Sequence, residues 1–185
     1  MTSVQYFQLI GLMVGFVLLE YILGRAQRFN AKASDNFLDL VGFGLLAALT
    51  QPTIMLVVTK LGTAFAPQYK NALIDQPWWV FVLLFLIFDD MLQYWWHRLS
   101  HTSKMWPLHR AHHSAQYMSA RIIYRNNFFY YVGMPAIWGS AILVYLGGIQ
   151  VYLVYIVVKL AVITGAHSDV RWDEPLYKIK ALKPL

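Results

Sequence analysis

Hydrophobic positions in this chain fall in long unbroken stretches rather than in alternating or half-apolar patterns. Val4 to Leu19 carries no charged residue, and the apolar run continues past Glu20 to Leu23. Leu40 to Thr59 is charge-free between Asp39 and Lys60. Gln76 to Phe88 is charge-free, and the run resumes after Asp89 and Asp90 as far as Trp96. Asn126 to Val158 is charge-free, and beyond Lys159 the apolar sequence continues to Ala166. A helix of about 20 residues crosses the hydrocarbon core of a bilayer, roughly 30 Å thick. The first three stretches each fit one crossing. The fourth is too long for one, and Gly147-Gly148 supplies a break near its middle. The pattern predicts an all-α fold: a single multi-pass membrane helical bundle over 1–185, with crossings at about 4–23, 40–59, 77–96, 128–146 and 149–166. A re-entrant pair is the alternative for the last two.

Composition supports the membrane class. Of the 185 residues 58% are hydrophobic and 13% charged, against roughly 45–50% and 25% in soluble domains. A small soluble protein has too little interior to hide so much apolar area, which excludes a soluble globular enzyme, and a disordered chain is excluded with it. The chain has no cysteine, so disulfides, thiolate metal sites and a cysteine nucleophile are excluded.

Charge then sets an orientation. No Lys or Arg precedes the first stretch, whereas Arg25 and Arg28 follow it. This argues against a cleavable signal and for an outer N-terminus. Alternating five crossings from there places 24–37, 97–127 and 167–185 inside, with 12 of the 15 basic residues (3, 5 and 4 of them in turn). The net charge of +6 thus describes a cytoplasmic face and needs no nucleic-acid partner. Trp78, Trp79, Trp95 and Trp96 fall at predicted membrane borders, where amphipathic rings belong.

Five of the six histidines lie between positions 97 and 113, as His97-Arg-Leu-Ser-His101 and His109-Arg-Ala-His112-His113. On a helix, residues three or four apart share a face, so each segment can aim two or three imidazoles at one point. Two crossings separate His167 from this cluster, which returns it to the same membrane side. Neutral imidazole suits iron, copper, zinc or nickel, and six histidines allow two metals. Scarce carboxylates argue against a carboxylate-rich di-iron bundle. The blander readings are a pH sensor or a headgroup-binding loop. Asp90, Tyr94, His97 and His101 form one helical stripe, so Asp90 and Tyr94 are candidates to support the ligands from behind. Lys159 has the same predicted depth as Asp89 and Asp90, and an interhelical ion pair is the competing role for one aspartate.

The run Asp90-Met-Leu-Gln-Tyr94-Trp-Trp-His97-Arg98-Leu-Ser-His101, followed by Leu108-His109-Arg-Ala-His112-His113-Ser114, resembles the fatty acid hydroxylase/sterol desaturase superfamily. Its closely spaced H-x-x-x-H and H-x-x-H-H motifs are more like this group than the acyl-CoA desaturases. Ala166-His167-Ser168-Asp169, before Pro175-Leu176, is similar to the family's H-S-N segment. The resemblance implies a helical membrane enzyme, a non-haem di-iron oxidoreductase with its histidine-bound centre on the cytoplasmic face. By motif position His97, His101, His109, His112, His113 and His167 would be the metal ligands, with two Fe as cofactor and O₂ as co-substrate. The family carries a further H-x-x-H-H cluster beyond the segment of His167. The chain ends at Leu185 without it, so the sequence is expected to be cut before that cluster.

The function expected is that of an O₂-dependent monooxygenase or desaturase of lipid biosynthesis. Its partners would be a membrane lipid substrate and an electron-donor protein. Arg98, Arg110, Arg121 and Arg125 are expected to form a basic face for a lipid headgroup or an acidic donor. A hydrolytic metalloenzyme is weaker because no H-E-x-x-H motif or neighbouring general-base Glu is present. A membrane metal transporter or sensor would need polar residues along a path through the bilayer, and the outer halves of the predicted helices are almost wholly apolar. An inactive truncated family member is the third alternative.

Overall fold

A computed structural model describes residues 3–23 and 32–170, and among these every regular element is helical. Arg25, Arg28, Arg171, Lys178, Lys180 and Lys183 of the expected inner face, and the Pro175-Leu176 step, lie outside the described residues. Helix α1 spans Ser3–Ile22, α2 Ala33–Phe65, α3 Trp78–Ser100 and the short α4 Trp106–His109. They are followed by α5, Phe128–Gly133, α6, Pro135–Leu143, and α7, Ile149–His167. Helix α2, helix α3 and the stretch Pro135–His167 are each long and apolar enough to cross a membrane, and Gly11–Ile22 is a shorter apolar helix. Helices satisfy their backbone polar groups internally, as hydrocarbon requires. Exposed apolar side chains such as Leu40, Phe65 and Val154 suit a lipid surrounding rather than water. This is an integral membrane bundle.

Proline and glycine explain where the helices depart from regularity. Pro52 lacks an N–H, and a proline ring in a helix crowds the carbonyl four residues back, here that of Ala48. Helix α2 widens over Leu45–Thr50 just before it, and the Thr50 hydroxyl donates to the Leu45 carbonyl at 2.7 Å. A second wide turn, Leu86–Met91 in α3, carries Asp89 in a buried position. The expected 128–146 segment is divided. Met134 is extended (φ −70°, ψ 109°) because the ring of Pro135 disfavours a helical residue before it.

The chain turns at Gly147, whose φ of 117° is strained for any residue with a Cβ. Around this turn the N–H groups of Asn71 and Leu73 donate to the carbonyls of Tyr145 and Leu146, both at 3.0 Å. The 66–77 loop is thereby tied to the end of α7 opposite His167. Helix α1 packs on α7, the second half of α2 on α6, and α6 on the wide turn of α3. Phe81, Phe85, Leu143 and Tyr152 form one core cluster; Tyr130, Tyr131, Met134 and Ala136 form another nearer the histidines.

Two buried polar clasps hold the segment that follows the histidine motifs. Arg125 is 1% exposed, and its guanidinium donates to Asp39 at 2.6 Å, Asp35 at 3.0 Å and the Tyr117 hydroxyl at 2.8 Å. This corrects its expected place on a basic face. Two carboxylates on one face of α2 need a cation once they leave water, and a buried ion without its partner is costly. The close approach of this segment to α2 depends on Gly42, where a Cβ would lie 2.0 Å from the Tyr124 carbonyl oxygen. The second clasp is Glu20 of α1, also 1% exposed. It accepts from the Ser119 hydroxyl at 2.7 Å, the Ala120 N–H at 2.9 Å and the Ser168 hydroxyl at 2.8 Å.

Candidate metal centre

The two histidine motifs leave the membrane helices in different ways. His97 sits in the last turn of α3, and His101 caps that helix at φ −82°, ψ −2°. Their one-turn spacing brings the two Nε2 atoms to 3.1 Å. The second motif is not one regular helix. His109 ends α4, a single turn begun at Trp106-Pro107, and His112 and His113 lie in a tighter 3₁₀ turn. His109 and His113 nonetheless face each other, Nε2 to Nε2 at 3.1 Å. One ligand atom from each of His97, His101, His109 and His113 lies within 4.8 Å of every other.

The remaining two histidines form a pair of their own. His112 Nε2 lies 3.3 Å from Nε2 of His167, at the end of α7. The His109 and His112 rings stack at 5.0 Å with planes 19° apart, so the quartet and the pair adjoin. For metal–nitrogen bonds of about 2.0–2.1 Å, neighbouring ligand nitrogens lie about 3.0 Å apart at right angles and about 3.4 Å apart at the tetrahedral angle. The observed separations of 3.1, 3.1 and 3.3 Å fall in that range. The donor set fits a metal centre.

Three ring orientations are held from behind. His109 Nδ1–H donates to Asn126 Oδ1 at 2.8 Å, His112 Nδ1–H to the Ile122 carbonyl at 3.2 Å, and His167 Nδ1–H to the Ile163 carbonyl at 2.8 Å. Each bond commits one nitrogen as donor, so the Nε2 lone pair faces the site, and it raises the basicity of the ligand. Tyr130 stacks on His109 at 5.0 Å, and Trp106 on His113 at 5.5 Å. Burial, reinforced by neighbouring imidazoles, pushes His109 down to about 4 and His112 down to about 3; His113 is lowered by the same causes. These rings are neutral at pH 7, the state a metal ligand requires.

The two residues expected to support the ligands lie elsewhere. Asp90 Oδ1 is 3.5 Å from Lys159 Nζ, and Lys159 is paired more closely with Asp89. Tyr94 is 54% exposed, and its hydroxyl accepts from Arg98 at 2.8 Å. Asn126, Tyr130 and the Ile122 carbonyl were not singled out by spacing. They follow the second motif through irregular chain, where no helical period relates them to His109 or His112.

A cavity of about 160 Å³ runs from His97, His109, His112 and His167 into the bundle, between apolar walls that include Met134 and Ile137. The Asp89–Lys159 ion pair lines it, as does Ser140, a buried hydroxyl with no hydrogen-bond partner among the described residues.

The histidines and their supporting groups all follow Val82, as do all the residues lining this cavity except Leu46 and Gln51, and the fatty acid hydroxylase model matches residues 82–183. The chain belongs to the fatty acid hydroxylase family. No curated protein and no solved structure matches it. The family match includes all six histidines, Asp89, Asn126 and Lys159, whereas Glu20, Asp35, Asp39 and Gln51 precede it. The fatty acid hydroxylase domain points to a lipid hydroxylase/desaturase family, and the histidine group is compatible with a metal site.

Proposed function

We propose that the protein oxidises a membrane lipid, as a hydroxylase or desaturase, at two irons held by its histidines on the cytoplasmic side. The observation that carries this reading is the convergence of His97, His101, His109 and His113, ligand atoms within 4.8 Å, in a fatty acid hydroxylase domain. That quartet would hold one ion, and His112 with His167 would contribute to the second. The bound irons would supply O₂ activation at an unactivated C–H bond with two electrons from a donor, one oxygen atom ending as water in hydroxylation and both in desaturation.

The chain's own residues do the positioning. Asn126 and the Ile122 and Ile163 carbonyls fix which nitrogen each ring presents. The apolar cavity walls orient a hydrocarbon segment toward the histidines and keep bulk water from it. The cytoplasmic placement, and the five crossings that go with it, are supported by the 12 basic residues that this topology gathers on one side. Arg98, Lys104 and Arg110 are exposed there and suit an acidic electron-donor protein.

Anaerobic purification followed by metal analysis and oxygen-electrode measurements tests the proposal. It expects about two irons per chain and O₂ consumption that depends on added lipid. Absence of iron, or iron content indifferent to His109→Ala and His112→Ala, would overturn it. The cysteine-free sequence makes orientation a direct measurement: a cysteine at Ser103 should react with a membrane-impermeant maleimide only from the cytoplasmic side.

A further inference from the structure

The histidine cavity has two unlike sides. Met134 and Ile137 belong to its apolar side. Helix α3 presents Asp89, Gln93 and His97 to it, each four residues from the next, so successive members lie one above the other along the helix. A polar ladder thus leads from a histidine of the cluster into the bundle. Its inner end is the ion pair of Asp89 with Lys159. Asp89 stands eight residues before His97, and Lys159 eight before His167. At 1.5 Å per residue the pair lies about 12 Å inward of the histidines.

Ser140 adds a polar group from the facing helix. Helix α6 crosses α3 at Gly139, where a Cβ would lie 2.4 Å from the Phe88 carbonyl oxygen. Ser140 and Asp89, the next residue on each helix, belong to the same crossing. Ser140 is 3% exposed and lines the cavity, and its hydroxyl has no hydrogen-bond partner among the described residues. A buried hydroxyl without a partner is costly, and a hydrocarbon guest cannot supply one. Water can. It donates to the carboxylate of Asp89, whose Oδ1 already accepts from Lys159, accepts from the Ser140 hydroxyl, and bonds the Gln93 amide. A buried water needs 2–4 such polar partners and about 30 Å³ of liquid volume. The cavity measures about 160 Å³, so half of it takes about two or three waters. Ionisable side chains within a membrane bundle pair with one another or face water-filled cavities; Asp89 and Lys159 do the first and are placed for the second.

We infer that a file of bound water runs along the α3 side of this cavity, from Ser140 and the Asp89–Lys159 pair past Gln93 toward His97. The file goes beyond the proposed reaction and requires neither metal nor turnover. It joins an intramembrane ion pair to the histidine cluster by hydrogen bonds. It also confines any hydrocarbon guest to the apolar side, against Met134 and Ile137.

The test is X-ray radiolytic footprinting of the full chain in phosphatidylcholine nanodiscs. Bound water yields hydroxyl radicals in place, and these oxidise the side chains beside it, which peptide mass spectrometry then locates. Met134, Ile137 and Tyr131 line the cavity and should be oxidised about tenfold faster than Phe81, Phe85 and Tyr145, which are also buried but line neither this cavity nor its neighbour. A radical scavenger in the bulk solution should suppress oxidation of the exposed Tyr69 and spare the cavity residues. Ser140→Val and Gln93→Leu each remove a polar partner and should lower the cavity labels about tenfold. Thr164→Val removes a buried hydroxyl that lines neither cavity and should leave them unchanged. Cavity labels no faster than those of Phe81 and Phe85, or equal in wild type and Ser140→Val, would overturn the water file. The wild-type comparison decides the matter even if a variant fails to fold. Labelled cavity residues in a protein that oxidises no lipid would sink the proposed function alone. Lipid oxidation without cavity labels would sink this inference alone.

Discussion

Replacing Asn126 isolates the contribution of a single hydrogen bond to metal affinity. His109 is 1% exposed, and its Nδ1–H has Asn126 Oδ1 as acceptor at 2.8 Å. In Asn126→Ala the ring keeps its packing against Tyr130 but loses the group that fixes its tautomer. A buried donor left without an acceptor costs about 1–3 kcal/mol. Losses of outer-sphere hydrogen bonds of this kind weaken metal binding about 10–100-fold, or roughly 1.4–2.7 kcal/mol. The two routes agree. The assay is a competition titration of the loaded protein against a chelator of known affinity. Asn126→Ala should raise the apparent metal Kd about 10–100-fold. The control is the adjacent Asn127, whose side chain caps α5 by accepting from Phe129 N–H at 2.8 Å. Asn127→Ala should lower stability by about 1 kcal/mol and leave the Kd unchanged. A Kd within twofold of wild type for Asn126→Ala, or the same shift in both variants, would refute the reasoning.

Three other perturbations bear on separate parts of the structure. His109 and His112, lowered to about 4 and about 3, bind fewer protons in the folded apo protein than at the ordinary value near 6.5. Their contribution is intact above that value and is lost as pH falls through it; at pH 5 each should cost about 2 kcal/mol. Thermal unfolding of metal-free protein in detergent should show the drop between pH 7 and pH 5, and a midpoint constant across that range contradicts it. Lys159→Met leaves Asp89 buried beside the histidine cavity without its cation and should destabilise by about 3–5 kcal/mol. Partial rescue by Asp89→Asn in the same background, read by the same melt, checks that the ion pair is the cause. Glu20→Ala strands three donors and should cost several kcal/mol, on the order of 1–3 for each. Glu20→Gln should cost much less, because the Ser119 hydroxyl can turn to accept from the new amide; equal loss in both variants argues against the clasp.

The apolar stretches were readable as helices because lipid leaves the backbone almost no other choice. Gly147 was readable as a break because two adjacent glycines interrupt an otherwise continuous run. The histidine spacings picked out the residues that the fold gathers, since His97 and His101 lie one helical turn apart wherever that helix sits. The same spacing misdescribed the second motif, where Pro107 opens a single turn and a 3₁₀ turn follows. Spacing also could not divide the six histidines into a quartet and a pair, which depends on where α7 ends. Asp90 shared a predicted stripe with His97 but lies in the wide turn at Leu86–Met91 and faces Lys159, whereas Tyr94 keeps its helical place and its hydroxyl is taken by Arg98. Arg125 read as one more surface cation. Only the approach of its segment to α2 at Gly42 shows that two aspartates enclose it. Contacts of this kind join residues far apart in irregular chain, and no local period announces them.

The bond between Glu20 and Ser168 spans 148 residues, and it has a consequence for biogenesis. At translation speeds of about 5–20 residues per second, the carboxylate is synthesised roughly 7–30 s before its last partner. The same final segment delivers His167 to His112. His112 and His167 therefore come together only after α7 has inserted, in the same closing step that shelters the carboxylate. A nascent chain arrested before His167 contains the quartet but not the pair. A partly made chain therefore does not bring these six histidines together until the bundle is closed.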